Sequence, residues 1–119
     1  MSQIALVTGS SRGIGRQIAI QLAQGNFTVI INGRSEKDVS ATCLEIQNLG
    51  GVAVPFVGDL TIEAEIKKAY DFIQLKYMKL DLLVCNIGGS SKTPNQLNVN
   101  VTEWKRIFDL NFFFNCSRC

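Results

Sequence analysis

Three closely spaced glycines, Gly9, Gly13 and Gly15, form the stretch of this sequence best suited to bind a ligand. Glycine adopts positive φ angles without strain and has no Cβ, so a glycine-rich backbone approaches a ligand closely. A helix that begins at such a turn directs free N–H groups and the positive end of its dipole toward the ligand, which favours phosphate. The stretch is therefore predicted to bind the pyrophosphate of a dinucleotide. The residues assigned to this role are Gly9, Ser10, Ser11, Arg12, Gly13, Ile14 and Gly15.

The sequence on either side of the glycines predicts the strand and the helix that such a turn requires. The apolar run from Ile4 to Val7 is typical of a buried strand. Ile14, Ile18 and Leu22 then recur at helical spacing. The pattern Gly-x3-Gly-x-Gly is related to the G-x-G-x-x-G fingerprint of dinucleotide sites and does not match the lysine-containing P-loop. A tight strand–helix turn without a ligand is the alternative, and the flanking strand and helix favour the nucleotide site.

The segment Thr8–Gly15 resembles the TGxxxGxG signature of the short-chain dehydrogenase/reductase family. The similarity continues through Asp59, Leu60, Cys85–Gly88 and Asn111, and so extends over essentially the whole chain. The resemblance implies an NAD(P)-dependent oxidoreductase that transfers hydride reversibly between the cofactor and a small carbonyl or alcohol substrate. Ketoacyl-thioester and sugar reductases are the nearest substrate classes that it suggests.

Two arginines bear on the choice of cofactor. Arg12 lies inside the glycine turn, and Arg34 lies just past the second predicted strand. An NAD site usually has Asp or Glu there, about 20 residues beyond the glycines, to accept a hydrogen bond from the ribose 2′-OH. No acid occupies that strand end, and two guanidinium groups suit a 2′-phosphate. NADP is therefore predicted over NAD, with two solvated surface arginines as the alternative.

The family resemblance assigns further cofactor contacts to the ends of the third and fourth strands. In the family, the residue matching Asp59 bonds the adenine amino group, and the backbone of the next residue, here Leu60, assists. An Asp59 that only caps the following turn is an equal alternative. The family's NNAG motif is present in altered form, so Asn86 is expected to tie neighbouring strands together. Ile87 and Gly88 are expected to line the adenosine ribose.

The catalytic residues of the family are only partly present. By resemblance, Asn111 holds a water in the proton relay; the alternative is an Asn that bonds locally within its helix. The family's Tyr-x-x-x-Lys motif does not occur, because Tyr70 is followed by Gln74 and Tyr77 by Asp81. We therefore expect residues 1–119 to be a dinucleotide-binding domain that ends before the catalytic half. A non-catalytic nucleotide-binding or assembly module is the second hypothesis.

Composition excludes several other classes of protein. The chain has 119 residues, of which 46% are hydrophobic and 18% charged, and its net charge is +2. These values are typical of one globular domain and do not favour nucleic acid or a membrane surface as a partner. Because the first strand follows Met1 almost directly, no signal peptide is expected. We therefore expect a cytoplasmic location, in which the cysteines are reduced. The chain has no histidine, and no metal or redox role is expected, including for Cys116-x-x-Cys119.

Strands and helices alternate along the sequence, which indicates a Rossmann-type, doubly wound parallel α/β sheet, partial, with strand order 3-2-1-4. Strand four would then be an open hydrophobic edge, and the last helix would end on an apolar Phe112–Phe114 segment. Both features predict cover from further chain or from another copy, consistent with a homo-oligomer. The predicted elements after the first strand are a helix to Gln24 stopped by an αL Gly25, a strand Thr28–Ile31, a helix from Glu36 capped by Ser35, an edge strand Val52–Val57, a helix capped by Thr61 and running to Tyr77, a strand Leu80–Cys85 and a helix from Thr102.

Overall fold

Strands and helices alternate along the chain and build one parallel sheet with the strand order β3-β2-β1-β4-β5. A computed structural model describes residues 3–86 and the backbone of residues 113–115. The predicted order of the first four strands, 3-2-1-4, is confirmed. The elements are β1 (Gln3–Val7), α1 (Gly13–Gln24), β2 (Phe27–Gly33), α2 (Glu36–Asn48), β3 (Val52–Val57), α3 (Glu63–Lys76), β4 (Leu82–Asn86) and β5 (Phe113–Asn115).

The two faces of the sheet carry separate apolar cores. Successive side chains of a strand point to opposite faces, so a central strand covered by helices on both faces is apolar at nearly every position. This explains why all of residues 4–7 in β1 are buried. The core on the α3 face includes Ile4, Leu6, Ile30, Leu83, Ile66 and Ile73. The core on the face of α1 and α2 includes Val7, Val29, Ile31, Val84, Ala19, Val39 and Ile46.

The edge position predicted for the third strand is confirmed. β3 pairs only with β2 among the described strands, and Pro55 lies opposite Ile31 in this register. Proline has no N–H to donate to a second neighbour, so it fits a strand that is paired on one side. Val52 and Val57 at the strand ends are 53% and 43% exposed.

The prediction of an open edge at strand four is wrong, because β5 pairs with β4 in parallel. Val84 lies opposite Phe113, and Asn86 lies opposite Asn115. The predicted helix is therefore wrong at Phe113 and Phe114, which lie in β5. Pairing with β5 satisfies backbone N–H and C=O groups that an edge position of β4 would leave unpaired. The predicted loop 88–101 and the helix start at Thr102 lie outside the described residues.

Two predicted helix ends are also corrected. We predicted Thr61 as the cap of α3 and Ile62 on its buried side. In the structure, Ile62 is the residue that precedes α3, and it is 49% exposed. Thr61 lies one residue before the N-cap position and belongs to the preceding turn, where its hydroxyl and N–H both donate to Asp59. At the end of α1, Gly25 has φ −90°, and the left-handed residue is Asn26 with φ 73°. Asn adopts this conformation more readily than other residues with a side chain.

Candidate nucleotide-binding site

The glycine turn lies at the carboxyl end of β1, between the central strands β2 and β4. Gly9 and Gly13 have φ of 61° and 68°, a region that glycine enters without strain. Gly13 is exposed, and within the described residues no atom outside its chain neighbours and its own helix backbone lies within 4 Å of the position that its Cβ would occupy. Open space therefore adjoins the turn where a ligand would approach.

The start of α1 has no compensating negative charge. Among the described residues no side chain caps this helix, and its first turn contains no acid, whereas α2 begins with Glu36 and Asp38 and α3 with Glu63 and Glu65. The first N–H groups of a helix lack partners within the helix and carry the positive end of its dipole. An anionic ligand such as a phosphate would supply the missing partner.

The third glycine, Gly15, is required by close packing and not by its backbone conformation. A Cβ on Gly15 would clash with the Gly9 carbonyl oxygen and with Nδ2 of Asn86. Gly15 is buried and has no positive φ, so the missing side chain is what its position requires. Its absence lets α1 begin directly against the turn and against β4.

Ser10 is held inside the fold by hydrogen bonds to two strands. Its hydroxyl donates to the Val7 carbonyl at 2.6 Å and accepts from the Asn32 N–H at 2.9 Å. Its own N–H donates to the Asn32 carbonyl at 2.7 Å. Ser10 is fully buried, so its side chain shapes the turn and does not face a ligand.

Asn32 joins the ends of three neighbouring strands, a role that sequence analysis missed. Its Oδ1 accepts from the Gly9 N–H at 3.0 Å. Its Nδ2 donates to the carbonyls of Phe56 and Gly58 at 3.1 and 3.0 Å. The side chain is 3% exposed and uses its acceptor and both donors. An amide residue directly after the apolar run Val29–Ile31 of the strand Phe27–Gly33 was the signal that could have identified it.

Thr8 and Asn86 connect the turn to β4. The Thr8 hydroxyl accepts from the Asn86 N–H at 2.9 Å, and the Thr8 N–H donates to the Val84 carbonyl at 3.0 Å. Nδ2 of Asn86 donates to the Gly9 carbonyl at 3.1 Å. Oδ1 of Asn86 is buried and has no hydrogen-bond partner within the described residues. These contacts hold the turn at its second side, opposite Asn32.

The two arginines of the cofactor prediction are both exposed. Arg34 follows Gly33, the last residue of β2, and Arg12 directly precedes α1. Within residues 3–86, neither forms an ion pair, whereas Arg16 of α1 pairs with Glu45 of α2. Both arginines are thus exposed at positions adjoining the turn and the end of β2.

Asp59 forms the turn cap that was one of its two predicted roles. Its Oδ1 accepts from the N–H and the hydroxyl of Thr61 at 3.0 and 2.6 Å. The Leu60 side chain is 6% exposed and packs into the core beside α3. The adenine contact of Asp59 and Leu60 stays a prediction. Ile87, Gly88 and Asn111 lie outside the described residues.

The described cysteines are structural. Cys43 and Cys85 are buried free thiols. Burial raises the pKa of Cys85 to about 12 and also raises the pKa of Cys43. Both therefore stay protonated at neutral pH and are poor nucleophiles. Among the residues that the structure describes, no group of three or more His, Cys, Asp or Glu side chains is placed to hold a metal ion.

Comparison with known proteins identifies the family. The family model described as short chain dehydrogenase matches residues 3–118. This chain belongs to the short-chain dehydrogenase/reductase family. It is 45% identical to dehydrogenase/reductase SDR family member 1 of Mus musculus over 85 residues, which are 71% of this chain and 27% of the mouse protein. The glycine turn and the strand order described above are thus those of a family of oxidoreductases.

Solved structures of the family share the fold. A 7α-hydroxysteroid dehydrogenase complexed with NADH and 7-oxo glycochenodeoxycholic acid is 27% identical with a TM-score of 0.76, covering 88% of this chain and 46% of that chain. A metagenomic short-chain oxidoreductase in complex with NADP is 27% identical with a TM-score of 0.78, covering 92% and 56%. The chain therefore spans about half the length of these relatives. The family binds NAD(H) in one of these structures and NADP in the other.

No α-helix within the described residues combines the length and the apolar character that crossing a membrane requires.

Proposed function

We propose that this chain is the NADP-binding half of a short-chain dehydrogenase/reductase that interconverts a small carbonyl compound and its alcohol. The observation that carries the proposal is the glycine turn. Gly9 before the helix and Gly13 at its first position both have positive φ, and within the described residues no side chain caps the helix start and open space lies beside Gly13. This arrangement fits the pyrophosphate of a dinucleotide.

In this proposal the residues at the carboxyl ends of the strands bind different parts of the dinucleotide. The N–H groups at the start of α1 bind the pyrophosphate, and the backbone beside Gly13 lies against it. Asp59 and Leu60 bind the adenine, while Ile87 and Gly88 line the adenosine ribose. Asn32 and Asn86 position the turn from its two sides. The bound nicotinamide would supply the hydride donor or acceptor.

The choice of NADP over NAD is supported by charge at the end of β2. Arg34 is exposed there, Arg12 is exposed in the turn, and the strand ends in Gly33 without an acid. A 2′-phosphate pairs with guanidinium groups and is repelled by carboxylates. The solved relatives include one complexed with NADH and one complexed with NADP, so the proposal rests on these charges and not on the relatives.

The substrate is proposed only as a class. The sequence resemblance suggests a ketoacyl thioester or a sugar, and one solved relative was complexed with an oxo bile acid. All of these are carbonyl or alcohol compounds. Asn111 is proposed to hold a water of the proton relay. A homo-oligomer in the cytoplasm is the proposed setting.

A binding module without catalysis is the second candidate. The observation that favours it is the absence of the Tyr-x-x-x-Lys motif from the 119 residues. Both candidates predict dinucleotide binding, so turnover distinguishes them and binding does not.

The test of dinucleotide binding is Gly13→Val. Its side chain would extend into the space proposed for the pyrophosphate, and the strained φ costs only about 1–2 kcal/mol. We expect calorimetric titration to show NADPH binding by the natural chain, weaker NADH binding, and neither by the variant. Gly50→Val is the matched control, because Gly50 follows α2, has a positive φ of 90° and also has open space at its Cβ position; it should bind as the natural chain does. Equal NADPH affinity in Gly13→Val would contradict the assignment, and equal affinity of the natural chain for NADPH and NADH would contradict the choice of NADP.

A further inference from the structure

Gly33, the last residue of β2, lies directly against the side chain of Ser11. A Cβ built on Gly33 would be 2.7 Å from the Ser11 Cβ and 3.0 Å from Cγ2 of Val39, and it would clash with the Ser11 hydroxyl oxygen. Gly33 is not among the glycines with positive φ. Glycine is therefore required here because no space exists for a side chain, and not because of the backbone conformation.

Ser11 has little freedom to make room. The buried Thr42 of α2 donates its hydroxyl proton to the Ser11 carbonyl at 2.9 Å. The preceding residue, Ser10, is bound to Val7 and Asn32. Rotation of the Ser11 side chain would move its oxygen and leave its Cβ in place. Space at position 33 thus opens only if the turn itself moves or if the Ser11 side chain is removed.

The end of β2 is where an NAD site usually carries the acid that accepts from the ribose 2′-OH. We propose that the Ser11 side chain excludes an acidic residue from position 33, so that Ser11 and Gly33 together determine the cofactor preference of the turn. Without an acid there, no negative charge opposes a 2′-phosphate, and the adjoining Arg34 supplies a positive one. This inference rests on the proposed dinucleotide site and names the contact that makes it selective.

The test compares the natural chain with Gly33→Asp, Ser11→Gly and the double variant, each titrated with NADPH and NADH. Gly33→Asp alone should lose about tenfold or more in affinity for both, because the carboxylate displaces the turn. The double variant should regain NADH binding. Compared with Ser11→Gly, its preference should shift toward NADH by about tenfold or more. The effects of the two substitutions are then non-additive, as expected of residues in contact. A switch of preference in Gly33→Asp alone, or no gain of NADH binding in the double variant, would overturn the proposal.

A second measurement needs no cofactor. Gly33→Ala should lower the urea midpoint of unfolding, and adding Ser11→Gly should restore most of the loss. Adding Val39→Ala instead, which relieves the other close neighbour, should not restore it. If Ser11→Gly and Gly33→Ala act additively, the steric contact is refuted whatever the chain binds. If this coupling is present but the natural chain binds neither dinucleotide, the proposed function fails and the role in cofactor preference fails with it.

Discussion

Arg34 is the residue whose charge bears most directly on cofactor choice. It is exposed at the end of β2 and forms no ion pair within residues 3–86. Its guanidinium group is therefore available to an anion, and Gly33 beside it leaves no carboxylate to compete. An exposed cation of this kind contributes through its position at the site and not through the stability of the fold.

Reversing this charge should change the cofactor preference. In Arg34→Asp one partner of the 2′-phosphate is lost and repulsion is added, so we expect NADPH affinity to fall about 10-fold or more while NADH affinity holds or rises. Calorimetric titration with both cofactors measures the ratio. Lys37→Asp makes the same charge change at an exposed site in the first turn of α2 and is the control. An unchanged ratio, or an equal shift in the control, would make Arg34 an ordinary surface residue.

Asn32 contributes at the residue scale through geometry instead of charge. Its side chain is the only described group that bonds the turn at Gly9 and the chain after β3 at Gly58 together. An amide is suited to this position because it both accepts and donates. A carboxylate of nearly the same shape would accept from Gly9 but face two carbonyl oxygens without a proton to offer.

Two substitutions separate these functions of Asn32. Asn32→Leu leaves polar groups without partners and should cost at least about 2 kcal/mol in the free energy of unfolding. Asn32→Asp should be destabilised at pH 7 and recover part of the loss near pH 5. The carbonyls of Phe56 and Gly58 disfavour the ionised carboxylate, so the folded state raises its pKa and gains stability when it is protonated. Urea unfolding at both pH values measures this, and a pH-independent loss in Asn32→Asp would contradict the assigned hydrogen bonds.

At the scale of elements, β1 is attached to β4 at both of its ends. Thr8 and Asn86 connect them at the turn. At the opposite end, the Ile4 N–H donates to Oδ2 of Asp81 at 2.7 Å, and the Asp81 N–H donates to the Ile4 carbonyl at 2.9 Å. Lys79 lies 3.1 Å from the same carboxylate oxygen. The central pair of strands is thereby fixed in register along its whole length.

Asp81 should make this attachment dependent on pH. Burial alone would raise the pKa of its carboxyl group, but the hydrogen bond from Ile4 and the charge of Lys79 outweigh it and lower the pKa. A group with a lowered pKa stabilises the fold above its unfolded pKa of about 3.9, and this stabilisation is lost as the pH falls through the folded value. Asp81→Asn should therefore cost about 1 kcal/mol at pH 7, and the cost should shrink as the pH is lowered from 4 to 2. Urea unfolding across this range measures it, with the exposed Asp71→Asn as control; a cost that stays the same as the pH falls would contradict the role of the charge.

At the scale of the whole molecule, the described part is a parallel α/β sheet of the Rossmann type with helices on both faces. The turn, the end of β2 and the end of β4 all lie at the carboxyl edge of the strands, where open α/β sheets bind ligands. The chain spans about half the length of its solved relatives. Within its sequence, no His and no Tyr-x-x-x-Lys motif is present to supply a proton to a carbonyl oxygen.

We therefore expect the 119 residues by themselves to bind NADPH without turning over a substrate. General acid catalysis needs an acid within hydrogen-bond reach of the reacting oxygen and with a suitable pKa. The purified chain, incubated with NADPH and a panel of ketones, ketoacyl thioesters and oxo steroids, should show no loss of nicotinamide absorbance beyond a protein-free sample. Turnover that persists in Asn111→Ala would show that another residue supplies the acid.

Local patterns were sufficient for much of the fold and for the position of the site. Alternating apolar runs and glycine turns determined the elements from β1 to β4, because each pattern reflects burial within a few consecutive residues. The strand–turn–helix context of Gly9 and Gly13 located the candidate phosphate site, since positive φ and a helix start are local requirements. The edge position of Pro55 followed from its missing N–H.

The remaining features depend on residues that are distant in sequence. Asn32 bonds Gly9 across 23 positions and Gly58 across 26, and no local periodicity indicates such partners. The contact between Ser11 and Gly33 also joins residues that are distant in sequence. The position of β5 depends on the edge of β4 that is available for pairing, although the local sequence pattern predicted a helix there. Thr61 depends on a local alternative, because its hydroxyl donates to the Asp59 carboxylate in the turn before α3 and does not cap the helix. The local sequence thus determines which conformation each segment favours. Tertiary packing determines which distant residues then become its hydrogen-bond and contact partners.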